Sequence, residues 1–190
     1  MRFLYNELFP LMWLAFLLYW QIMARRTKIT QRLEPAGASL LRTVVFISAI
    51  ALLMLQRMPV PWLYRHFLPL SRTSFWTGAA VTAAGLLFAV WARVHIGANW
   101  SSSVTVKQGH QLITTGPYAA VRHPIYTGIL GGFAGSAIAL GEYRAVIALA
   151  LVFWALWRKL RLEEAWMRST FGDAWTSYSR RTAALVPGIL

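Results

Sequence analysis

Residues 124–157 read PIYTGILGGFAGSAIALGEYRAVIALALVFWALW, two apolar runs joined by the tight turn Gly141-Glu142-Tyr143. One run extends from Ile125 to Leu140 and the other from Arg144 to Trp157. Each approaches the ~20 residues that a helix needs to cross the hydrocarbon of a bilayer, and flanking residues have to supply the rest. The stretch therefore predicts a helical hairpin that crosses a membrane twice.

Three further apolar runs precede this hairpin, from Leu8 to Met23, from Leu40 to Met58 and from Phe75 to about Ile96. The 190 residues are 57% hydrophobic and only 13% charged, which is unlike an ordinary soluble domain. The first run lacks a strongly basic leader and a small-residue cleavage site, so we interpret it as a retained span. The chain is predicted to be an all-α, polytopic membrane bundle of about five transmembrane helices, forming a single membrane domain over residues 1–190.

The distribution of basic residues predicts how this bundle is oriented. The formal net charge is +13, and the basic residues flank the apolar runs, which favours anionic membrane lipids over nucleic acid as partners. With the N-terminus outside, thirteen of the 19 Lys and Arg residues lie on the inner side. The positive-inside rule therefore predicts a multi-pass protein with its N-terminus outside and its C-terminus in the cytoplasm, and we expect it in the plasma (inner) membrane. Arg42, one turn inside the second run, is expected to snorkel to the headgroups.

Several kinds of chemistry are disfavoured by residue type and spacing. The chain has no cysteine, which excludes disulfides, thiolate metal sites and cysteine nucleophiles. His95, His110 and His123 are too widely spaced for a helical pair of metal ligands, so we expect no metal site. The serines at 101–103 lack the strand-turn-helix context of a hydrolase nucleophile and are interpreted as loop or cap residues.

Two polar segments lie on the predicted cytosolic side, the loop from Gly97 to His123 and the tail from Arg158 to Pro187. At 27 residues the loop is too long for a simple connector, and its apolar and aromatic residues argue against disorder. The sequence therefore predicts that the loop is functional.

The loop ends in Arg122-His123-Pro124, which predicts the start of a helix. Proline disfavours helical backbone in the residue before it and suits the first helical position, so the fourth span should begin at Pro124. Its free amide groups beside Arg122 would suit an anion, and Tyr126 would share a face with His123. Taken alone, the pattern favours a helix cap without a ligand.

The fourth span also carries small residues four apart: Gly128 with Gly132, Gly131 with Gly135, and Gly132 with Ser136. Such spacing lets two helix backbones approach closely. We favour helix packing over room for a ligand, and the pattern leaves open whether the packing is within one chain or between chains.

Glu163 and Glu164 are two of only six acidic residues, and they lie just beyond the fifth span among basic residues. Pairs of Lys159 with Glu163 and of Glu164 with Arg168, each four apart, would give a solvated helix face. Alternatively, one carboxylate faces a pocket. Because neighbours on a helix point about 100° apart, the two carboxylates are not expected to do so together.

The second half of the chain resembles a family of membrane methyltransferases that includes isoprenylcysteine carboxyl methyltransferase and the phospholipid N-methyltransferases. The similarity covers residues 95–187, about half of the chain, and only the combination of its motifs is specific. The matching residues are Asn99-Trp100-Ser101, Gly109-His110, Leu112, Gly116, Tyr118, Arg122-His123-Pro124, Tyr126, Gly128, Glu163-Glu164, Phe171-Gly172, Trp175, Tyr178, Arg181 and Pro187.

The resemblance implies a transferase that uses S-adenosylmethionine at the cytosolic face and methylates a lipidic or apolar acceptor, a carboxylate or an amine, that enters from the bilayer. It places the first three spans in residues 1–94 and a catalytic core, with a pocket formed by loop and tail, in residues 95–190. Trp175 stands where relatives often have a tyrosine, which puts a hydroxyl role there in doubt. The implied catalytic residues are Glu163, Glu164 and Arg161, and the implied cofactor-binding residues are His110, Leu112, Gly116, Tyr118, Arg122, His123, Pro124, Tyr126 and Glu164.

Within this hypothesis, Arg122 and the helix start would bind the cofactor carboxylate, and a tail glutamate would face the sulfonium or take a proton from an amine. Arg161 would orient an acidic acceptor. Two other functions stay open. Sterol and steroid reductases, which use NADPH, share similar Arg-His-Pro segments, and a non-catalytic membrane scaffold would need no cofactor.

Overall fold

The computed structural model describes residues 2–24, 30–56, 58–97, 100, 105–107 and 112–188. The 3-10 turn Pro61–Tyr64 and two short strands accompany the helices in this part of the chain. The helices are α1 (Arg2–Ala24), α2 (Ala36–Met54), α3 (Arg72–Ile96), α4 (Pro117–Ala120), α5 (Pro124–Leu140), α6 (Tyr143–Phe171) and α7 (Asp173–Arg181), and the strands are β1 (Thr30–Leu33) and β2 (Thr105–Lys107).

The predicted membrane helical bundle is confirmed. Within the described ranges, three helices are long and apolar enough to cross a bilayer, Phe3–Met23, Ala36–Met54 and Arg72–Ile96, and the apolar Pro124–Leu140 is shorter. These helices and the first part of α6 correspond to the five predicted runs, and the crossing of α5 and α6 stays a prediction. The described residues also contain an antiparallel ribbon that the sequence did not predict, in which β1 pairs with β2 of the long loop.

Several helix boundaries differ from the ends of the predicted runs, and two of them have a local cause in the contacts of the chain. α2 ends at Met54 instead of Met58, because Leu55 is extended and Arg144 binds the last carbonyl groups of the helix, including Leu52 O at 2.9 Å. α3 begins at Arg72, ahead of the predicted Phe75, because the Ser71 hydroxyl accepts a hydrogen bond from Ser74 N–H at 3.0 Å.

The glycines of α5 pack against α3 of the same chain. A Cβ on Gly85 would lie 2.6 Å from both Gly128 O and Gly132 N, and a Cβ on Gly78 would lie 2.5 Å from Gly135 O. The helices are antiparallel, because Gly78 meets the end of α5 and Ala89 meets its start. The small residues therefore serve close packing within the chain, as the favoured interpretation held, and they leave no space for a ligand between α3 and α5.

The two ends of the bundle are held differently. At the end where α6 begins, the buried Arg144 pairs with the buried Glu142 at 2.5 Å and also donates to Leu52 O and Leu55 O of α2. This contact joins α2 to the hairpin. At the opposite end α5 begins, and there the tail and the last part of the loop come together. That end carries most of the predicted functional residues.

Candidate active site

α5 begins at Pro124, as predicted, with His123 at the N-cap. The His123 side chain makes no capping hydrogen bond. Instead, the backbone N–H groups of Arg122 and His123 donate to Ala183 O at 2.8 Å and Ala184 O at 3.0 Å. The tail therefore runs along the last residues of the loop and holds the start of α5 from one side.

Arg122 connects the start of α5, α6 and the tail. Its Nε donates to Glu164 Oε1 at 2.8 Å, and its Nη1 donates to Ser179 O at 3.0 Å and to Thr182 O. Since these donors are already bonded within the protein, a ligand carboxylate would share the guanidinium with Glu164. The predicted role of Arg122 in binding the cofactor carboxylate stays a prediction.

Both glutamates of α6 contact His123, whereas the sequence led us to expect that the two carboxylates would not face a pocket together; of the two, Glu164 lines the cleft described below. Glu163 Oε2 lies 3.5 Å from Nδ1 of the imidazole, and Glu164 Oε1 lies 3.3 Å from Nε2. The 100° between neighbouring side chains is accommodated because the two carboxylates approach opposite edges of one ring that projects toward α6. The Tyr126 ring stacks on the imidazole at 5.2 Å, and its hydroxyl donates to Glu163 Oε2 at 2.6 Å.

The charges of this cluster stabilise one another. Burial by itself would lower the pKa of His123, but hydrogen bonds and charges from Glu163 and Glu164 outweigh it and raise the pKa above the usual histidine value. Burial would raise the pKa of Glu164, whereas hydrogen bonds from His123 and Arg122 bring it down to about 2. Burial would also raise the pKa of Glu163, but the charge of Lys159 and hydrogen bonds from His123 and Tyr126 outweigh burial and lower this pKa. At neutral pH both carboxylates are therefore ionised, and the imidazole is held toward its cationic form.

Of the two predicted ion pairs along α6, one is present and one is replaced. Lys159 Nζ lies 3.7 Å from Glu163 Oε1, but the Lys159 side chain is only 8% exposed, so this pair is not part of a solvated face. Lys159 Nζ also lies 5.4 Å from the centre of the Tyr126 ring. In the described part of the chain, Glu164 pairs with Arg122 rather than with Arg168, because the start of α5 lies closer.

A cleft of about 380 Å³ opens beside Glu164, between α6 and the tail. Arg161, predicted from the resemblance, lines this cleft, and so does Arg168, the residue that was expected to pair with Glu164. The cleft thus combines guanidinium groups with an ionised carboxylate and an apolar wall. Its lining residues are Arg122, Trp157, Leu160, Arg161, Glu164, Ala165, Arg168 and Ala184.

The predicted loop residues Leu112, Gly116 and Tyr118 are not among the residues that line this cleft. Tyr118 is buried, and its carbonyl accepts the Tyr178 hydroxyl of α7 at 2.6 Å. Gly116 has a φ of 59°, and a Cβ there would lie 2.6 Å from the His95 ring. Leu112 is half-buried. His110 lies outside the described residues, as do Asn99, Gly109 and the serines at 101–103.

Trp175, the departure from the family pattern, is buried in α7 with its ring 5.7 Å from that of Tyr178. Its ring N–H has no hydrogen-bond partner within the described residues. Tyr178 instead supplies the hydroxyl that joins α7 to the loop.

Sequence reasoning missed Glu34 and misassigned Arg42. The Arg42 guanidinium turns inward and binds both carboxylate oxygens of Glu34, at 2.9 and 2.5 Å, so the prediction that it snorkels to the headgroups is wrong. The guanidinium turns inward because the carboxylate of Glu34, which is only 7% exposed, provides a buried counter-charge within hydrogen-bond distance. An acidic residue just before a membrane helix, in a chain with six acids, was the signal that could have identified the pair.

Comparison with known proteins places residues 73–174 in the family described as phospholipid methyltransferase. Among curated proteins, a protein-S-isoprenylcysteine O-methyltransferase of Schizosaccharomyces pombe is 33% identical over 99 residues, which cover 50% of this chain and 42% of that protein. Protein-S-isoprenylcysteine O-methyltransferase B of Arabidopsis thaliana is 26% identical over 127 residues, 64% of each chain. The cobalt-zinc-cadmium resistance protein CzcN of Cupriavidus metallidurans is 33% identical over 115 residues, 59% of this chain and 51% of that one. The chain thus spans about half the length of the curated relatives that it matches.

Proposed function

The chain belongs to the phospholipid methyltransferase family, and from this we propose that it transfers a methyl group from S-adenosylmethionine to a membrane-partitioned acceptor at the cytosolic face. The observation that carries the proposal is the cluster of His123, Glu163 and Glu164 beside an arginine-lined cleft. Ionisable groups whose pKa values are shifted by close partners cluster at functional sites, and this cluster lies beside an open cleft that Glu164 lines.

The residues around the cleft fit S-adenosylmethionine by their chemistry. The cofactor carries a sulfonium, an ammonium and a carboxylate, so it needs both negative and positive partners. Glu164 supplies a carboxylate, and Arg122, Arg161 and Arg168 supply guanidinium groups in the same cleft. The volume of about 380 Å³ lies within the range of small-molecule sites. When bound, the cofactor would supply a methyl group on a positively charged sulfur.

The chain's own part in such a transfer is positioning. The acceptor oxygen or nitrogen must lie in line with the methyl carbon, and well-oriented pairs can gain up to ~7 to 11 kcal/mol from orientation. The Tyr126 hydroxyl and the imidazole fix Glu163 from two directions. A carboxylate acceptor needs no base, whereas an amine acceptor would have to lose a proton, and Glu164, with a pKa of about 2, is a weak base for that step.

The acceptor is proposed to be an apolar molecule that ends in a carboxylate, as the names of the isoprenylcysteine O-methyltransferase relatives suggest. Trp157 and Leu160 continue the apolar surface of α6 into the cleft, and Arg161 and Arg168 provide cations for the acid group. A phospholipid amine is the second candidate, favoured by the family description. The cytosolic placement rests on the excess of basic residues at this end of the bundle.

Transfer of label from methyl-labelled S-adenosylmethionine tests the proposal. Purified protein would be incubated with membrane lipid extract and, separately, with a prenylated cysteine analogue, and the labelled product would be identified. We expect labelling of one acceptor and its loss in the Glu163→Gln/Glu164→Gln double variant. Stabilisation by NADPH instead, by ~2.7 kcal/mol at 100 times its dissociation constant, would support a reductase, and stabilisation by neither cofactor would support a scaffold.

A further inference from the structure

Lys159 is a buried lysine to which the proposed function gives no role. It lies on α6 two residues beyond Trp157, where the predicted fifth span ends, and a lysine at such a place ordinarily extends its ammonium to water or headgroups. Here the side chain is only 8% exposed, and its Nζ lies 3.7 Å from Glu163 Oε1 and 5.4 Å from the centre of the Tyr126 ring. The ammonium therefore turns inward, to the candidate active site.

The two oxygens of the Glu163 carboxylate have different partners. Oε1 faces Lys159, whereas Oε2 accepts the Tyr126 hydroxyl at 2.6 Å and lies 3.5 Å from His123 Nδ1. Side chains of α5 and α6 thus fix this carboxylate, and Glu163 is not among the residues that line the cleft. Glu164 contacts the opposite edge of the imidazole and does line the cleft. The two neighbouring carboxylates therefore have separate surroundings.

We propose that Lys159 is a positioning residue of the site: its ammonium holds the Glu163 carboxylate against Tyr126 and His123, so that Glu164 is the carboxylate that meets the ligand. The inference rests on the proposed function and narrows it, because Glu163 then acts on the reaction only through His123. A role in stability alone explains the pair poorly, since apolar replacement of both members of a buried ion pair is often neutral or stabilising.

Other groups that carry or can carry charge surround this pair, and a test must separate Lys159 from them. Burial lowers the pKa of Lys159, and the charge of Glu163 opposes that effect. Burial raises the pKa of Glu163, and the charge of Lys159 is the largest of the effects that lower it. The groups on α5, on α6, in the loop and around the start of α2 are His123, Tyr126, Glu164, Arg122, Tyr118, Glu34 and Arg42. All of them stay in place when only Lys159 is substituted.

Infrared titration of the purified protein tests the inference without any turnover. The C=O stretching band of the protonated Glu163 carboxyl is assigned by its loss in Glu163→Gln. In Lys159→Met the ammonium is gone, so the pKa of Glu163 should rise by about one unit. In Lys159→Arg the charge is kept, and the pKa should stay near the wild-type value. The matched control is Arg158→Met, which removes a charge from the next position of α6, where the exposed guanidinium lies over the Trp154 ring.

An unchanged Glu163 titration in Lys159→Met would overturn the inference, and so would an equal rise in Arg158→Met. If Lys159→Met does not fold, Lys159→Gln removes the charge but keeps an N–H donor for Glu163, and the same rise of the pKa is expected there. A lowered thermal midpoint with an unmoved titration would make Lys159 purely structural.

With an active acceptor in hand, kcat and KM separate the roles of the two glutamates. On the acidic limb of kcat against pH, Lys159→Met should turn over about tenfold more slowly, because a rise of one pKa unit leaves about a tenth of the ionised Glu163 at a given pH. Its KM for S-adenosylmethionine should stay near the wild-type value, since Lys159 does not line the cleft, whereas Glu164→Gln should raise that KM. An equal rise of KM in both variants would overturn this division of roles. A wild-type chain without methyl transfer would reject the proposed function, and the infrared titration would still decide whether Lys159 holds Glu163.

Discussion

The Tyr126 hydroxyl donates a 2.6 Å hydrogen bond to the Glu163 carboxylate, which joins the first turn of α5 to the charged half of α6. Tyr126 is buried, and its ring lies parallel to His123. The same tyrosine thus orients the imidazole and a carboxylate that contacts it.

Tyr126→Phe should reduce turnover roughly tenfold, because the Glu163 carboxylate loses a short charge-assisted hydrogen bond in a buried site. The stacking on His123 is retained, so the fold should survive. Tyr143→Phe, an exposed tyrosine at the other end of the bundle, is the control. Methyl transfer by the purified variants measures the effect, and equal rates for both variants would contradict a functional role for this bond.

Glu164→Gln should loosen the tail, because Arg122 loses its carboxylate partner and keeps only carbonyl acceptors. Protease cleavage between α6 and α7 should become faster, and the thermal midpoint in detergent should fall. In Glu163→Gln the contact of Arg122 with Glu164 is intact, so the tail should stay protected. Equal cleavage rates for both variants would show that the ion pair does not hold the tail.

The His123 cluster should make stability depend on pH in two directions. Because the pKa of His123 is higher in the folded protein than in the unfolded chain, protonated His123 stabilises the fold. This stabilisation is fully present at pH values below the pKa of the unfolded chain, and it is lost as the pH rises through the pKa of the folded protein. Because the pKa of Glu164 in the folded protein is only about 2, ionised Glu164 also stabilises the fold. This stabilisation is present at pH values above the pKa that Glu164 has in the unfolded chain, and it is lost as the pH falls toward 2. Thermal midpoints should therefore decline on both sides of mildly acidic pH. In His123→Gln the alkaline decline should be smaller, and a decline of unchanged size would exclude this histidine as its source.

Gly85→Ala should destabilise the protein by about 1–3 kcal/mol, because the new Cβ would lie 2.6 Å from backbone atoms of α5 and would push the helices apart. Gly131→Ala is the matched control, since its Cβ would lie 3.4 Å from Gly85 Cα, an ordinary contact. Thermal unfolding in lipid nanodiscs compares the two. Similar midpoints would mean that the glycines are not packed as closely as described.

The candidate site was predictable in its parts but not in its arrangement. The resemblance identified Arg122, His123, Tyr126 and both glutamates, and the structure brings these together. The resemblance could not show that Glu163 and Glu164 contact two edges of one imidazole. The angle of about 100° between neighbouring residues fixes the direction in which a side chain leaves the helix, but it does not fix the position of the carboxylate at the end of that side chain. Arg42 was misassigned for a similar reason: its partner Glu34 becomes near only when the chain folds into α2.

The sequence by itself determined the membrane bundle, the start of α5 at Pro124 and the family, because apolar run length, the backbone limits of proline and a motif series are local properties of the chain. Only the tertiary structure decided which charges pair, that the glycines of α5 pack on α3, and that the buried Arg144 binds the end of α2. Ion pairing and close packing depend on distances between residues far apart in sequence. In a chain with 19 basic and six acidic residues, many pairings are possible and only folding selects among them.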